Sequence, residues 1–288
     1  MEKNPFSLFD FLGYFIPGAF GLFLFYFLQN INGLEYYFYY ENIKTLNTDI
    51  SIVHITFFVI LSYTLGHILS FLSTLTIENF TVWMFGYPSK NLLLINGSGT
   101  YFEKKRKNEN IDKKATFVSY SLRFLLFVFL SPISISSITI GKLLDLNNSV
   151  YKKSLGEPYI NLIKTEIEVV FKRLNNNLQI DFINHDYNKL LIHYSYNVNA
   201  PHQPKLMNYV SLYGFLRVIS LVFNLLSVFM FLKIFLFNEN LNINLSEEFN
   251  NESIIFFISA FLTYISYLGY LKFYRRYTQE NLMILLLK

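Results

Sequence analysis

Residues 61–80 read LSYTLGHILSFLSTLTIENF. The stretch is apolar enough to cross a bilayer, yet it carries His67 near its middle and Glu78 near its end. At 100° per residue, Tyr63, His67, Ser70, Thr74 and Glu78 fall within a sector of about 80°, so the helix has one polar edge. An ionisable group facing hydrocarbon costs at least roughly 2.5–3.5 kcal/mol at the bilayer centre, so this edge is expected to face protein. Its partners must come from other spans.

The run around this stretch extends from Ile52 to Ile77, and Phe11–Leu28, Tyr213–Phe235 and Ser253–Leu271 are of similar apolar length, near the roughly 20 residues a crossing needs. Pro17 and Gly18 are expected to kink the first. That run is too long for the apolar part of a signal peptide and lacks a small-x-small cleavage site, so it reads as a retained span. Tyr213, Arg217, Ser220 and Asn224, spaced four, three and four, give a later span a polar edge of its own. Ser259, Thr263, Ser266 and Tyr270 mark one face of the last.

Composition agrees with a membrane protein. Of 288 residues 52% are hydrophobic and 15% charged, against roughly 25% charged in soluble domains. With no cysteine there is no disulfide, thiol nucleophile or cysteine-based zinc site. Heavy use of Asn, Lys, Ile, Phe and Tyr fits an AT-rich genome, and a bacterial source is expected.

Loop charge sets the orientation. Residues 29–51 hold Glu35, Glu41 and Asp49 against Lys44, whereas residues 79–115 hold seven basic residues against three acidic, including Lys104, Lys105, Arg106 and Lys107. Residues 237–252 hold four glutamates and no base, and the segment from Lys272 onward holds Lys272, Arg275, Arg276 and Lys288 against Glu280. The fold class this predicts is an all-α membrane protein with four transmembrane helices and both termini cytoplasmic. A fifth crossing at 115–144, a run containing Arg123 and Pro132, would oppose the charge bias in two places. That run is therefore read as a re-entrant or interfacial segment broken near Pro132.

Three regions follow: a first transmembrane pair over 1–78, a helical cytoplasmic region over 79–208, and a second pair with a cytoplasmic tail over 209–288. Within the middle region, residues 158–175 place Ile160, Ile163, Ile167, Phe171 and Leu174 on one helical face behind Pro158. A second helix is expected over 186–198. The apolar tail NLMILLLK is expected to lie at the interface or in a subunit contact.

Depth selects partners for the polar edges. Glu78 ends an inward-running helix and Arg217 lies about one turn inside an outward-running one, so the two are expected to meet as an antiparallel pair. The polar edges then serve as interhelical glue or gating elements, or as an internal polar pathway.

Motifs for chemistry are weak. INGSGTYFEKKRK, from residue 95, lacks the GxxxxGK[ST] order of a nucleotide-phosphate loop. Lys104–Lys107 can meet anionic lipid or a ligand, although basic clusters beside spans serve topology in general. His185, His193 and His202 are dispersed, and no HExxH or GxSxG occurs. No catalytic residue, metal or cofactor is assigned, and no nucleic-acid partner.

At FDFLGYFIPG (9–18), LGHILSFLSTLTIENF continuing to FGYPSKNLL (65–93), and APHQPKLMNYVSLYGFLRVIS (200–220), the sequence resembles an uncharacterised family of bacterial integral membrane proteins, some encoded near antiphage defence genes. The resemblance implies a kinked first helix at Gly13, Pro17 and Gly18. It implies structural or gating roles for His67, Glu78, Gly86, Pro88 and Arg217, and a link to antiviral defence. The function expected is a non-enzymatic, homo-oligomeric inner-membrane sensor and effector that alters membrane permeability on a cytoplasmic or membrane cue, its partners being lipids and a cytoplasmic protein or small ligand. The alternatives are a membrane-embedded enzyme acting on lipid or peptide, with His67 and Glu78 as acid and base, and a transporter, for which the internal repeat common in that class is missing.

Overall fold

The computed structural model describes residues 10–30, 52–95, 101–102, 113–174, 180–181, 187, 191–194, 203–236 and 247–286. Those residues are helical with no strand among them. The first helix, α1, is a π-helical turn Phe11–Phe15 continued by Ile16–Asn30. Proline lacks an N–H and crowds the carbonyl four residues back, which for Pro17 is Gly13; the wider turn just before it accommodates that mismatch.

Helix α2 comprises Ile52–Ser73, a second π turn Thr74–Glu78, and Asn79–Phe85. It ends at Gly86, whose φ of 77° suits glycine, and α3 (Pro88–Leu92) follows at once. Helix α4 (Lys113–Phe129) leads into α5 (Ser131–Ile138), and the stretches Ser119–Phe129 and Ser131–Leu143 form a pair bent by 87°. The break falls at Leu130, with Pro132 in the first turn of α5, so the segment is broken where its proline predicts. Helix α6 (Ile140–Leu143), a π turn Asn148–Lys152 and the amphipathic α7 (Glu157–Leu174) come next. Of the helix expected over 186–198, residues 191–194 are described and helical.

Two long helices, α8 (Gln203–Leu236) and α9 (Glu247–Ile284), form an antiparallel hairpin. Lys205 Nζ meets Glu280 Oε2 at 2.7 Å at one end, and Lys233 Nζ meets Glu252 Oε1 at 2.8 Å at the other. Between them Ser220 Oγ donates to the Thr263 carbonyl at 3.0 Å.

Among the described residues, three stretches are long and apolar enough to cross a membrane: Ile52–Leu92, Gln203–Phe235 and Glu252–Ile284. The chain is thus built as a multi-pass, membrane-associated protein, with large apolar side chains such as Phe57, Phe229 and Phe257 turned outward. Phe11–Tyr26 is apolar but shorter. The long helices run past the spans read from hydropathy because nothing stops them. Polar residues beyond an apolar run carry no helix-ending signal unless glycine or proline is among them.

Two cores result. One gathers Ile77, Phe80, Leu130, Ile133, Val218, Leu221, Tyr267 and Leu271 between α2, α8, α9 and the bend. The other joins Leu92, Leu93 and Ile95 to Ile160, Ile163, Ile167 and Phe171 of α7, and to Leu282 and Leu285. The apolar tail, expected at an interface or in a subunit contact, is instead part of this second core: α9 continues as helix to Ile284 and brings its last leucines against α7.

Candidate functional site: an ion pair beside a tyrosine wall

Arg217 on α8 and Glu78 at the end of the π turn in α2 form an ion pair, Nη1 to Oε2. The Arg217 side chain is 10% exposed and that of Glu78 29%. Arg217 Nε also donates to Ser73 Oγ at 3.1 Å, and Ser73 Oγ donates in turn to the Ser70 carbonyl at 2.8 Å. One guanidinium thus holds α2 on both sides of its π turn. At about 1.5 Å per residue Arg217 lies about 24 Å from Lys233 along α8, placing the pair toward one side of a bilayer core about 30 Å thick.

Tyrosines line this site. Tyr213 stands one turn before Arg217, its ring centroid 6.4 Å from Tyr270, 5.4 Å from Tyr274 and 5.7 Å from Tyr277. Tyr270 and Tyr274 stack at 5.7 Å, and Tyr151, at the end of the third π turn, lies 6.4 Å from Tyr274. Tyr151 donates to the Gly86 carbonyl at 2.9 Å, and its complete burial pushes the phenol well above its ordinary pKa, so it stays a neutral donor. Thr81 and Tyr267 hydroxyls meet at 3.1 Å one turn beyond Glu78.

The other residues of the two polar edges do not join this centre. His67 is exposed and stacks on Tyr14 of α1 at 3.9 Å, with Tyr63 edge-on at 4.5 Å. Eleven residues separate it from Glu78, about 16 Å along a helix, so the two cannot act on one substrate atom. Thr74 Oγ1 donates to the Ser70 carbonyl at 3.1 Å, and Asn224 Nδ2 to the Phe129 carbonyl at 3.1 Å, just before the 87° break.

The face of α2 that is buried is Ser62, Gly66, Leu69, Ser73 and Ile77, one position before the polar edge. Glycine sets it. A Cβ on Gly66 would lie 1.9 Å from the Tyr14 carbonyl oxygen, and one on Gly18 would lie 1.8 Å from that of Ser62. Gly18, expected to kink α1 together with Pro17, therefore serves close packing of α1 against α2, the small-residue device of membrane helices.

Arg123, the charge that made 115–144 ambiguous, is held locally. Its Nη1 donates to the Tyr101 carbonyl at 2.6 Å, Tyr101 donates back to the Arg123 carbonyl at 2.9 Å, and the guanidinium lies 4.9 Å from the Trp83 ring centroid. Burial raises the Tyr101 phenol to about 12, against the opposing pull of Arg123. Lys104, Lys105, Arg106, Lys107, His185 and His202 lie outside the described residues. Among the described residues no cluster of His, Asp and Glu could hold a metal.

Sequence reasoning missed Ser73, Tyr151, Tyr274 and Tyr277. A signal for two of them is present: Tyr267, Tyr270, Tyr274 and Tyr277 follow one another at three, four and three residues, a single helical face. The fold and site define an all-α, multi-pass membrane protein with a largely buried ion pair between two of its long helices. No protein-family model, characterised protein or solved structure matches the chain.

Proposed function

We propose that the chain is a four-crossing bacterial inner-membrane protein with both termini cytoplasmic, acting as a homo-oligomeric, non-enzymatic effector that alters membrane permeability when its cytoplasmic region receives a cue. The observation that carries this reading is the continuity between the two cores. Leu92 and Leu93, at the end of α3, and Leu282 and Leu285, at the end of α9, share one core with Ile160, Ile163, Ile167 and Phe171 of α7. Displacing α7 therefore pulls on two long helices, and the Glu78–Arg217 pair lies where α2 meets α8. A charged pair with two discrete arrangements, made or broken, is the bistable element such a transition requires.

The cue is a cytoplasmic protein, a small ligand or a change in the membrane, and antiphage defence is the setting that the family resemblance implies. The test is membrane potential, read by a voltage-sensitive dye in cells expressing the wild-type chain or Glu78→Gln, with and without phage challenge. Depolarisation in challenged wild-type cells, or constitutively in the variant, is expected. An intact potential in every case overturns the reading.

A further inference from the structure

Where α9 leaves the apolar layer it carries three bases on one face. Residues 253–271 hold no charged side chain, and Lys272, Arg275 and Arg276 follow at i, i+3 and i+4. Measured from Glu252, which pairs with Lys233 at the other end of the hairpin, Lys272 lies about 30 Å along α9, the thickness of a hydrocarbon core. The three bases therefore stand at headgroup level. A second segment joins them there. Arg275 Nε and Nη2 both donate to the Lys153 carbonyl, at 3.2 and 2.8 Å, and the neighbouring Tyr151 and Tyr274 rings lie 6.4 Å apart. Lys152, half-buried, holds Nζ 5.3 Å from the ring centroid of Phe85, the last residue of α2. Among the described residues none of Lys152, Lys153, Lys272, Arg275 and Arg276 forms an ion pair, and Glu280, one turn beyond Arg276, is taken by Lys205.

We propose that this cluster binds the phosphate headgroup of an anionic phospholipid. Bases beside a span serve topology in general, but that role needs only their charge. Here the charge is also organised. Arg275 is locked to the backbone of another segment, which spends two of the five N–H groups of its guanidinium and leaves the rest for a second acceptor. A guanidinium held in place in this way matches phosphate oxygens with a fixed fork of donors. The charge of the cluster selects the lipid class. A zwitterionic headgroup brings an ammonium with its phosphate, and Lys272, Arg276 and the two lysines repel it, whereas an anionic headgroup brings a net negative charge to the level where these bases lie. A phosphate held by Arg275 and its neighbours ties the third π turn to α9, next to Tyr151 and Tyr274. The site requires only that α9 cross the bilayer and is independent of any change in permeability.

Thermal unfolding of the full chain tests this, in nanodiscs of phosphatidylcholine and in nanodiscs of equal parts phosphatidylcholine and phosphatidylglycerol. The wild-type melting temperature is expected to be higher in the mixed lipid by about 2–4 °C. Lys272→Gln with Arg276→Gln, both exposed on α9, is expected to lose most of that increment. Arg275→Lys, which keeps the charge and loses the double donation, is expected to lose much of it too. Lys172→Gln with Arg173→Gln, exposed at the far end of α7, removes as much charge as the α9 pair and is expected to keep the increment. The increment is a difference between two lipids, so it stays readable in a variant of lower overall stability. No increment in the wild type overturns the proposal, as does an equal loss in the two double variants or an undiminished increment in Arg275→Lys, since attraction by net charge alone gives those results. In phosphatidylcholine nanodiscs, a similar rise in sodium phosphate over sodium chloride at equal ionic strength, lost in Lys272→Gln with Arg276→Gln, overturns it in favour of a soluble phosphate.

Discussion

Replacing Glu78 by glutamine keeps its shape and removes its charge, leaving Arg217 with an uncompensated guanidinium. Breaking a buried pair from one side costs about 3–5 kcal/mol, whereas exposed pairs contribute about 0–1 kcal/mol. Arg217, 10% exposed, sits near the buried limit, and Glu78, 29% exposed, lies between the two. Glu78→Gln is therefore expected to cost about 2–3 kcal/mol, since Ser73 still accepts from Arg217 Nε. With both residues as glutamine no charge is stranded, so the double variant should be more stable than the sum of the single losses implies, by a coupling of at least about 1 kcal/mol. Trp83 is the single tryptophan of the chain and lies beneath Arg123 near the C-terminal end of α2, so its fluorescence reports unfolding of this region in nanodiscs. At about 2–4 °C per kcal/mol, Glu78→Gln should melt roughly 4–12 °C below wild type. Strictly additive single losses, or a shift under about 1 °C for Glu78→Gln, would show that the pair contributes nothing where the structure places it.

Two further contrasts test the packing. Gly18→Ala and Gly66→Ala drive a methyl into a neighbouring backbone and are each expected to cost about 3 kcal/mol or more, while Gly214→Ala, with nothing within 4 Å of its Cβ, should be neutral or up to about 1 kcal/mol stabilising through helix propensity; equal melting temperatures for Gly66→Ala and Gly214→Ala would refute the close approach. In the second core, Leu282→Ala should cost about 2–5 kcal/mol because the side chain is fully buried against α7. Leu162→Ala, on the exposed face of α7, should change stability by no more than about 0.5 kcal/mol, and limited proteolysis around α7 should be faster only in Leu282→Ala.

What the sequence makes legible here is what hydrocarbon makes expensive. The apolar runs, the break beside Pro132 and the meeting of Glu78 with Arg217 all follow from one constraint, that backbone and charge need internal partners in a membrane. The buried face of α2 does not follow from it. Polarity singles out Tyr63, His67, Ser70, Thr74 and Glu78, but helices approach where atoms are fewest, and Gly66 with Ser62 and Ser73 turns the helix by one residue. His67 then lies outside the contact and is held by ring stacking on Tyr14. A polar pattern identifies which residues need partners, whereas a small-residue pattern identifies where a neighbouring helix fits.

The tail follows the same logic from the opposite side. A leucine-rich end beside a bilayer looks like an interfacial anchor when judged by composition, because lipid and a protein core attract leucine equally well. What distinguishes them is whether an amphipathic partner is within reach. Helix α7 offers Ile160, Ile163 and Ile167 on one face, and α9, 38 residues long, extends about 57 Å at about 1.5 Å per residue. That is well beyond a hydrocarbon core about 30 Å thick, so its last turns reach α7. A helix too long for its membrane thus becomes the strut that joins the second core to the spans, and a displacement of its end reaches Tyr277, Tyr274 and Tyr270 along one continuous helix.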